Sequence, residues 1–421
     1  MRERRYNIVA KRILISVDGS EQEDRRTRVG LLEGDRLMEI YYGHPSQEKL
    51  VGSIYRGRVE DVLPGLGSAF VDIGERRSLF LSRNELSDRL LDKAGVKPWQ
   101  SDVPITKILS KGQMLTLQVR REGIGNKNPQ GTMKISLPGR FWVYLPNEER
   151  LGVSRRVENV RDQRRIRKIA RTLKRPHEGM IARTASKWAS EEDLKRDFRL
   201  LVETWDGVKK VAENAKKPRL LYKGMGLVQT VLRDRLDPNT EEVIVDSPFF
   251  REKILSFLDY MKMSDYKDRI RTYEGKGTLF KTFRIEEQIQ QSLSRRVSLA
   301  GGGSLVIDET EALIAIDVNT GGDVRHRNQH VAILNTNLEA AEEIARQLRL
   351  RQISGIIIVD FVDMENPKDV HQVIDKVKSE LKKDRVSADF VDMTALGLVE
   401  ITRKRQGESL ADMLEGAKFD A

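Results

Sequence analysis

The sequence predicts a multidomain α+β protein, and three observations favour this fold class. The chain has 421 residues, which is enough for about three domains of roughly 150 residues each. Residues 50–86 alternate apolar and polar side chains in short runs between glycine and proline turns, as in a small β-barrel. Residues 313–363 instead show a strand, an amphipathic helix and a wholly apolar strand, which is typical of an α/β unit.

The predicted elements alternate between strand-rich and helix-rich stretches along the chain. Strands are predicted where apolar and polar side chains alternate or where a hairpin turn is present, namely at residues 11–42, 50–86 and 113–137. Helices are predicted where apolar side chains recur at i,i+3 and i,i+4 spacing, namely at residues 251–263, 285–297 and 335–351. Residues 87–102 interrupt the barrel pattern and are interpreted as an insertion.

One segment carries most of the net positive charge of the chain. Residues 151–175 contain ten Lys or Arg against Glu158 and Asp162, a net of +8 out of a total of +11. A solvated helix face is the simpler interpretation, but such faces usually mix both signs at i,i+4 spacing. The one-signed excess therefore favours a surface that binds the phosphates of a nucleic acid.

Composition excludes several classes of protein. The chain contains no cysteine, which rules out disulfides, thiol nucleophiles and cysteine-ligated metal centres. Its longest apolar runs, such as residues 355–359, are far shorter than the about 18 residues that a membrane span requires. The basic N-terminus has no apolar stretch of signal-peptide length. We therefore expect a cytoplasmic protein with no membrane span.

Polar residues end two strands that a predicted helix connects. In residues 313–319 (LIAIDVN), the period of two places Asp317 and Asn319 on the same face. Residues 355–363 (GIIIVDFVD) form an apolar run whose polar break is Asp360. Because ligands of open α/β sheets bind at the carboxyl ends of the strands, Asp317 and Asp360 are expected to lie close together. Two facing carboxylates need a cation between them, and Mg²⁺ is the natural one.

The residues alone leave a second interpretation open for this pair. Each Asp could instead cap the adjoining helix or turn, which is the commoner role of an acidic residue at a strand end. If a metal binds, bound water or hydroxide could attack a phosphodiester, and Asn319 could orient the water or the phosphate. Asp308 and Asp363 are weaker candidates, since the first lies at a hairpin turn and the second has opposite parity to Asp360.

Two phenylalanines of the predicted barrel are candidates for stacking on nucleic-acid bases. Phe70 and Phe80 have the opposite parity to the aliphatic side chains of their strands, so they face outward if the aliphatic side chains fill the barrel. Exposed rings on a barrel of the OB type bind the bases of single strands. A place in the core is the alternative. Lys127, in a loop rich in glycine and asparagine, would add a phosphate contact.

Eight segments together carry a resemblance to a known family. They are GRVEDVLPGLGSAFVDIG, SLPGRFWVYLPN, GVSRRVE, IARTA, GGGSLVIDETEALIAIDVN, NTNLEAAEEIARQLRLR, GIIIVDFVDM and VEITRKR. They follow one another in this order between residues 57 and 405. Through them nearly the whole chain resembles the ribonuclease E/G family of bacterial endoribonucleases. The resemblance implies an RNase H-like fold (residues 1–46 and 215–280), an inserted OB fold (47–135), a 5′-sensor with the basic segment (136–214) and a DNase I-like catalytic domain (281–421).

The resemblance also implies roles for individual residues. Asp317 and Asp360 match the magnesium ligands of the family, and Asn319 matches its supporting polar residue. Phe70, Phe80 and Lys127 match RNA contacts of the OB fold. A pocket for a 5′-monophosphate is implied at four positions, namely Gly139, Val143, Arg183 and Thr184.

The implied function is a Mg²⁺-dependent endoribonuclease that hydrolyses single-stranded RNA in RNA processing and mRNA decay and favours 5′-monophosphorylated substrates. An RNA-decay complex is a candidate partner. The alternatives are an RNA-binding protein without catalysis, which would have no need of Asp317, Asn319 and Asp360 together, and a nuclease acting on DNA.

Two features depart from the family pattern. The segment from Thr320 to Gln329 is rewritten, and the family's cysteine-bearing linker, which joins two subunits through zinc, has no counterpart in a chain without cysteine. Any homo-oligomer is therefore expected to form without zinc.

Overall fold

The first sheet begins at the N-terminus of the computed structural model, which describes residues 10–18, 26–43, 50–97, 100, 103–123, 127–321, 329–405 and 409–419. Its first three strands are antiparallel neighbours: β1 (Lys11–Asp18), β2 (Arg26–Glu33) and β3 (Arg36–Gly43). Gly34 adopts a φ of 59° in the turn between β2 and β3, a conformation that glycine reaches without strain. The hairpin expected from the sequence is therefore present.

A closed barrel follows this hairpin. Its elements are β4 (Ile54–Leu63), β5 (Ser68–Asp72), β6 (Leu79–Ser82), α1 (Asp88–Lys93), β7 (Met114–Arg121) and β8 (Gln130–Thr132). The strands are ordered β4-β5-β6-β8-β7, and β4 pairs with β7 to close the circle. The barrel is filled by aliphatic side chains that include Val59, Val71, Leu79, Leu81 and Leu117. The prediction of a small barrel is confirmed.

A second, smaller sheet packs against two helices, and the first of these, α2, carries much of the basic segment. Its elements are β9 (Leu137–Pro138), β10 (Trp142–Leu145), β11 (Leu151–Val153), α2 (Val160–Leu173), β12 (Gly179–Ala182) and α3 (Glu191–Asn214). The strand order is β11-β12-β10-β9. Helix α2 buries Ile166, Ile169 and Ala170. Its arginines and lysines are therefore left on the outer faces of the helix.

The chain then returns to the first two sheets. The elements are β13 (Arg219–Tyr222), α4 (Leu227–Arg235), β14 (Thr240–Val245), α5 (Pro248–Tyr260) and β15 (Ile270–Thr272). Strand β13 pairs with β4 and extends the barrel sheet, whereas β14 pairs in parallel with β1. The first sheet is completed in the order β15-β14-β1-β2-β3. Two stretches distant in sequence therefore build one sheet.

The last module is a six-stranded sheet with long helices. Its elements are α6 (Leu279–Thr282), α7 (Ile285–Leu293), β16 (Arg296–Ser298), β17 (Ser304–Glu309), β18 (Ile314–Asn319), α8 (Gln329–Leu350), β19 (Gly355–Asp360), α9 (Pro367–Leu381), β20 (Ala388–Met393), β21 (Val399–Arg403) and α10 (Leu410–Phe419). The strand order is β16-β17-β18-β19-β21-β20. Strands β18 and β19 are parallel, and α8 connects them. The predicted strand-helix-strand unit is confirmed.

The architecture as a whole is mixed α+β with a five-stranded closed barrel, as the sequence predicts. The helix expected over residues 335–351 begins earlier, at Gln329, because the apolar residues 331–334 follow one another without a break and so show no helical periodicity. Most of the rewritten segment before it, residues 322–328, lies outside the described residues. In the part of the chain that the structure describes, no helix is long and apolar enough to cross a membrane.

Candidate active site

The two carboxylates at the strand ends lie next to each other. Strands β18 and β19 pair in a register that sets Asp317 directly opposite Asp360. On β18 the side chains of Ile314, Ile316 and Val318 are buried, which leaves Asp317 exposed on the other face. Asp360 is exposed in the same way, after the buried Val359. Because neighbouring strands are about 4.8 Å apart, both carboxylates can reach a single cation.

Two amides hold this pair of strand ends in place. Asn319 lies two residues beyond Asp317 on the same face, and its Nδ2 donates a hydrogen bond of 2.7 Å to Asp317 Oδ2. Asn337, fully buried on α8, donates to the carbonyl of Val362 at 2.8 Å and accepts from the Val362 N–H at 3.1 Å. The chain that follows Asp360 is thereby fixed to the connecting helix. Sequence reasoning identified Asn319 but missed Asn337, which appeared only as one more position of an amphipathic helix.

The donor set suits one class of metal ion better than another. Among the described residues, no group of three or more His, Cys, Asp or Glu side chains is placed to hold a metal. Two carboxylates with a neighbouring amide fit Mg²⁺, which is held by one or two carboxylates and keeps several waters. They do not fit Zn²⁺, which takes three or four nitrogen, sulfur or carboxylate ligands. Asp308 is engaged elsewhere, because Arg295 Nη2 lies 2.7 Å from its Oδ2.

The barrel presents an aromatic pair on its outer surface. Phe70 and Phe80 are opposite each other on β5 and β6, with ring centroids 5.9 Å apart in an edge-to-face arrangement. Both rings are half-buried, whereas the alternating neighbours Val71 and Leu79 are fully buried. Lys127 is exposed, and its carbonyl accepts a hydrogen bond of 3.3 Å from Arg77. The outward placement is the one that the strand parity predicts.

The residues predicted to bind a 5′-phosphate meet between β10, β12 and the turn that follows. Arg183 Nη1 donates to the carbonyl of Gly139 at 2.7 Å, and Thr184 Oγ1 lies 3.1 Å from Ser154 Oγ. Val143, on β10, pairs with Pro138 and Ile181 on either side. The structure therefore brings Gly139, Arg183 and Thr184 together, with Val143 on the adjoining strand.

A buried carboxylate behind this group explains the glycine at position 139. Asp197 on α3 accepts the backbone N–H groups of Arg140, Phe141 and Trp142 at 2.9 to 3.0 Å. A Cβ atom at Gly139 would lie 2.6 Å from Asp197 Oδ2, so a larger residue there would collide with the carboxylate. Burial raises the pKa of Asp197, and the three N–H groups oppose that rise. Asp197 therefore determines the course of the 139–142 loop.

A second buried carboxylate gathers three arginines. Asp234 forms ion pairs with Arg183 at 2.7 Å, with Arg233 at 2.7 Å and with Arg385. Burial alone would raise the pKa of Asp234, but the hydrogen bond from Arg233 and the charges of the three guanidinium groups hold it well below its usual value. Burial lowers the pKa of Arg183, and Asp234 opposes that shift. Neither Asp197 nor Asp234 could be found from the sequence, because Asp197 acts on the 140–142 backbone and Asp234 on Arg183 and Arg385, all of them far away along the chain.

This group of residues opens into a large cleft, called here the central cleft. It reaches from β1 and the 139–142 region to the loop after α9, and Arg183, Thr184, Asp234 and Arg385 all line it. Among the described residues of its lining, Lys and Arg number fifteen and Asp and Glu number nine. The central cleft therefore has an excess of positive charge, as a surface for a polyanion requires.

Comparisons with known proteins identify the family of this chain. A family model described as the Ribonuclease E/G family matches residues 136–406. Ribonuclease G of Escherichia coli strain K12 is 38% identical over 406 residues, covering 96% of this chain and 81% of that protein. Ribonuclease G of Haemophilus influenzae is 37% identical over 92% of this chain and 79% of its own length, and Ribonuclease E of the same organism is 35% identical over 96% and 42%. The chain therefore belongs to the ribonuclease E/G family.

Proposed function

We propose that this chain, an endoribonuclease by family, hydrolyses phosphodiester bonds of single-stranded RNA at Asp317 and Asp360 with Mg²⁺ as its cofactor. The observation that carries the proposal is the pairing of these two exposed carboxylates on adjacent parallel strands. Hydrolysis leaves a 5′-phosphate on one product and a 3′-hydroxyl on the other. Turnover of this kind serves RNA processing and mRNA decay.

The residues of the site have different roles in the proposed reaction. Asp317 and Asp360 hold the metal, and Asn319 fixes the orientation of the Asp317 carboxylate through its 2.7 Å hydrogen bond. When bound, Mg²⁺ supplies an activated water and neutralises the charge that develops on the phosphoryl oxygens. Asn337 keeps Asp360 in register by holding the next turn of the chain. The carboxylates face solvent, so an extended RNA strand can lie across them.

The barrel is proposed to guide the single strand to this site. Phe70 and Phe80 offer half-exposed rings on one face, and base stacking on such rings tolerates any sequence. Lys127 lies in the loop before Gln130, which pairs with Phe80, so its ammonium group can contact a phosphate of a strand stacked there. A single strand can make these contacts because its bases are free of a duplex partner.

The group around Arg183 is proposed to bind a 5′-monophosphate. The guanidinium of Arg183 and the hydroxyl of Thr184 can both donate to phosphate oxygens, while the carbonyl of Gly139 holds the guanidinium and Val143 lies on the adjoining strand. Three arginines surround the single carboxylate of Asp234, so the site has a net positive charge before the ligand binds. RNA with a 5′-monophosphate should therefore be a better substrate than RNA with a 5′-hydroxyl.

The domain assignment belongs to the same proposal. Residues 1–46 and 215–280 form the RNase H-like part, 47–135 the OB fold, 136–214 the 5′-sensor and 281–421 the DNase I-like catalytic domain. The five-stranded barrel supports the second assignment, and the joint sheet of β1–β3 with β14 and β15 supports the first. Strand β13 crosses this division, because it lies at 219–222 but pairs with the barrel.

A cleavage assay with two matched variants tests the proposal. Asp317→Asn and Asp360→Asn keep the shape of the side chains and remove the charge that binds the metal, so cleavage of a 5′-monophosphorylated A/U-rich oligoribonucleotide should fall below detection. RNA affinity and thermal stability should stay near those of the wild type. Wild-type turnover should require added Mg²⁺ and be lost in EDTA.

Two controls separate the alternatives. Asp308→Asn changes an exposed strand carboxylate of the same sheet that is paired with Arg295, and it should cleave normally. A DNA oligonucleotide of the same sequence should remain intact, and its cleavage would indicate a nuclease for DNA. Wild-type protein that binds RNA but never cuts it would indicate an RNA-binding protein without catalysis.

A further inference from the structure

Trp188 is a large aromatic residue whose exposure the proposed reaction does not explain. It is 72% exposed, whereas Trp142 and Trp205 are buried in the core of the same module. A ring of this size usually gains most of its stabilising free energy from burial or from a ligand. Its position in the chain is also informative. Arg183 immediately precedes the short 3₁₀ turn Thr184–Lys187, and Trp188 immediately follows it.

The backbone that carries Trp188 is firmly held. Ser186 is fully buried and donates to the carbonyl of Arg183 at 2.6 Å. Arg165, from α2, donates to the carbonyl groups of Ser186, Lys187 and Ala189 at 3.2, 3.0 and 2.9 Å. These bonds satisfy the C-terminal end of the turn, where carbonyl groups would otherwise lack partners. The ring is therefore exposed on a fixed platform.

The surroundings of the ring suit a nucleic acid. Trp188 lines the central cleft together with Arg183 and Thr184. The ammonium nitrogen of Lys187 lies 3.8 Å from the centroid of the Trp188 ring, which places a cation against its π-system. Proteins that bind single strands combine cations along the backbone with aromatic rings under the bases. Trp188 and Lys187 have both parts of this arrangement in adjacent residues.

We propose that Trp188 is a stacking platform for a base among the first three nucleotides of 5′-monophosphorylated RNA. The proposal rests on the phosphate pocket at Arg183 and Thr184. At about 2.0 Å of rise per residue, the 3₁₀ turn sets Trp188 roughly 8 Å from Thr184. Stacked nucleotides advance about 3.4 Å each, so that distance corresponds to about two nucleotides beyond the terminal phosphate.

Charge favours RNA over a protein as the occupant of this surface. The described lining of the central cleft has an excess of Lys and Arg, and a second copy of this chain would bring a further net charge of +11. Association of two such surfaces would be opposed by repulsion between like charges. A single strand of RNA brings the opposite charge and a flat π-surface at the same time.

The test is the affinity of Trp188→Ala for matched oligoribonucleotides. Four 3′-labelled 12-mers are compared by fluorescence anisotropy in EDTA, which keeps the RNA intact. Two of them have a 5′-monophosphate and two have a 5′-hydroxyl. Within each pair, one RNA has all its bases and the other has no bases in its first three nucleotides. Trp188→Ala should bind the phosphorylated RNA with all its bases about 5- to 150-fold more weakly than the wild type. Its affinity for the phosphorylated RNA without those bases should equal that of the wild type.

Two further variants complete the design. Trp188→Phe keeps a stacking ring and should retain most of the affinity. Phe249→Ala removes another exposed aromatic ring that lies under a lysine, Lys253, at 4.3 Å but outside the lining of the central cleft, and it should bind like the wild type. Equal melting temperatures of wild type and Trp188→Ala exclude a folding defect.

Each opposing result has a distinct meaning. A wild type that binds 5′-monophosphate and 5′-hydroxyl RNA equally would refute the phosphate pocket and with it the role of Trp188. Suppose instead that the wild type prefers the monophosphate, but that Trp188→Ala binds both phosphorylated RNAs as the wild type does, or is weakened equally on both. That result would refute the stacking platform and would leave the phosphate pocket supported. A variant with normal RNA affinity but an altered mass by light scattering would mark Trp188 as a protein contact, which also overturns the proposal.

Discussion

At the scale of single residues, Asp234 determines how much uncompensated positive charge the proposed phosphate pocket has. One carboxylate, 5% exposed, is surrounded by the guanidinium groups of Arg183, Arg233 and Arg385. Two positive charges are left without compensation by Asp234. A terminal phosphate with a charge near −2 would balance them, so ligand binding and the structure of the pocket support each other.

Arg183→Ala should reduce binding and cleavage of 5′-monophosphorylated RNA by about 1.5–3 kcal/mol, which is roughly 10- to 150-fold. The reason is the loss of charge-assisted hydrogen bonds to the phosphate. The measurement is kcat/KM on matched 5′-monophosphate and 5′-hydroxyl substrates, and the second should hardly change. Equal losses on both would mean that Arg183 supports folding through Asp234 and Gly139 and has no part in end recognition.

Asp234 also makes stability depend on pH. Its pKa in the folded chain is lower than the value of about 3.9 for an unfolded Asp, so its ion pairs stabilise the fold above about pH 4. This contribution is lost as the pH falls below that value, toward the folded pKa. Asp234→Asn cannot titrate, and it leaves three guanidinium groups without their partner, at a cost of about 3–5 kcal/mol near neutral pH.

The melting temperature should therefore fall more steeply for the wild type than for Asp234→Asn as the pH is lowered from 5 to 3. Differential scanning calorimetry at steps of half a pH unit measures both slopes. Asp259→Asn is a matched control, because Asp259 is exposed and its carboxylate pairs with Lys267 and Ser264 at the surface. Parallel curves for wild type and Asp234→Asn would contradict the ion-pair network.

At the scale of elements, the alternation along β5 and β6 separates the proposed binding residues, Phe70 and Phe80, from the residues that fill the barrel. Phe70→Ala or Phe80→Ala should weaken single-strand binding by about 1–3 kcal/mol with little change in the melting temperature, because both rings are half-exposed. The control is Leu81→Ala on the same strand, where a fully buried side chain is removed and stability should fall by about 2–5 kcal/mol. A large drop in melting temperature for Phe70→Ala would place its ring in the core.

The sequence allowed prediction of elements whose signal is local. The unit β18-α8-β19 was predictable because its three hydrophobic patterns follow one another in one continuous stretch. Apolar residues alternate with a period of two in β18, recur with a period of 3.6 in α8 and form an unbroken run in β19. The position of β13 was not, because its pairing with β4 joins residues that are far apart in sequence. The same limit applies to the site: Asp317 and Asp360 end predicted strands, whereas Asn337, Asp197 and Asp234 act through contacts that only the folded chain creates.

At the scale of the whole molecule, the assembly of this chain is expected to differ from the family pattern. Strands β18 and β19, which carry Asp317 and Asp360, belong to one sheet of one chain, so a single chain contains the complete carboxylate pair. These 421 residues contain no cysteine, so they can supply no thiolate ligand to a zinc bridge between subunits. Of the histidines, His177 lies beside Glu149 and His371 beside the carbonyl of Pro367, while His44 and His326 are outside the described residues.

The purified protein should contain no stoichiometric zinc, and any self-association should survive chelation. Elemental analysis measures the metal content, and light scattering before and after EDTA measures the mass. Nuclease activity should return when Mg²⁺ is added back, whatever the oligomeric state. Stoichiometric zinc, or a dimer that EDTA splits into monomers that stay inactive with Mg²⁺, would refute this expectation.

The sheet that joins β1–β3 to β14 has a consequence for synthesis on the ribosome. Strand β1 is covered on one side by β2, but its other neighbour, β14, lies at Thr240–Val245. Translation at about 5–20 residues per second leaves the N-terminal hairpin without that neighbour for roughly 10 to 40 s. All the strands of the barrel and of the second sheet, including β13, lie in the intervening stretch between β3 and β14, so these two sheets can fold first. The order of folding therefore differs from the order of translation, and the earliest segment made is among the last to be completed.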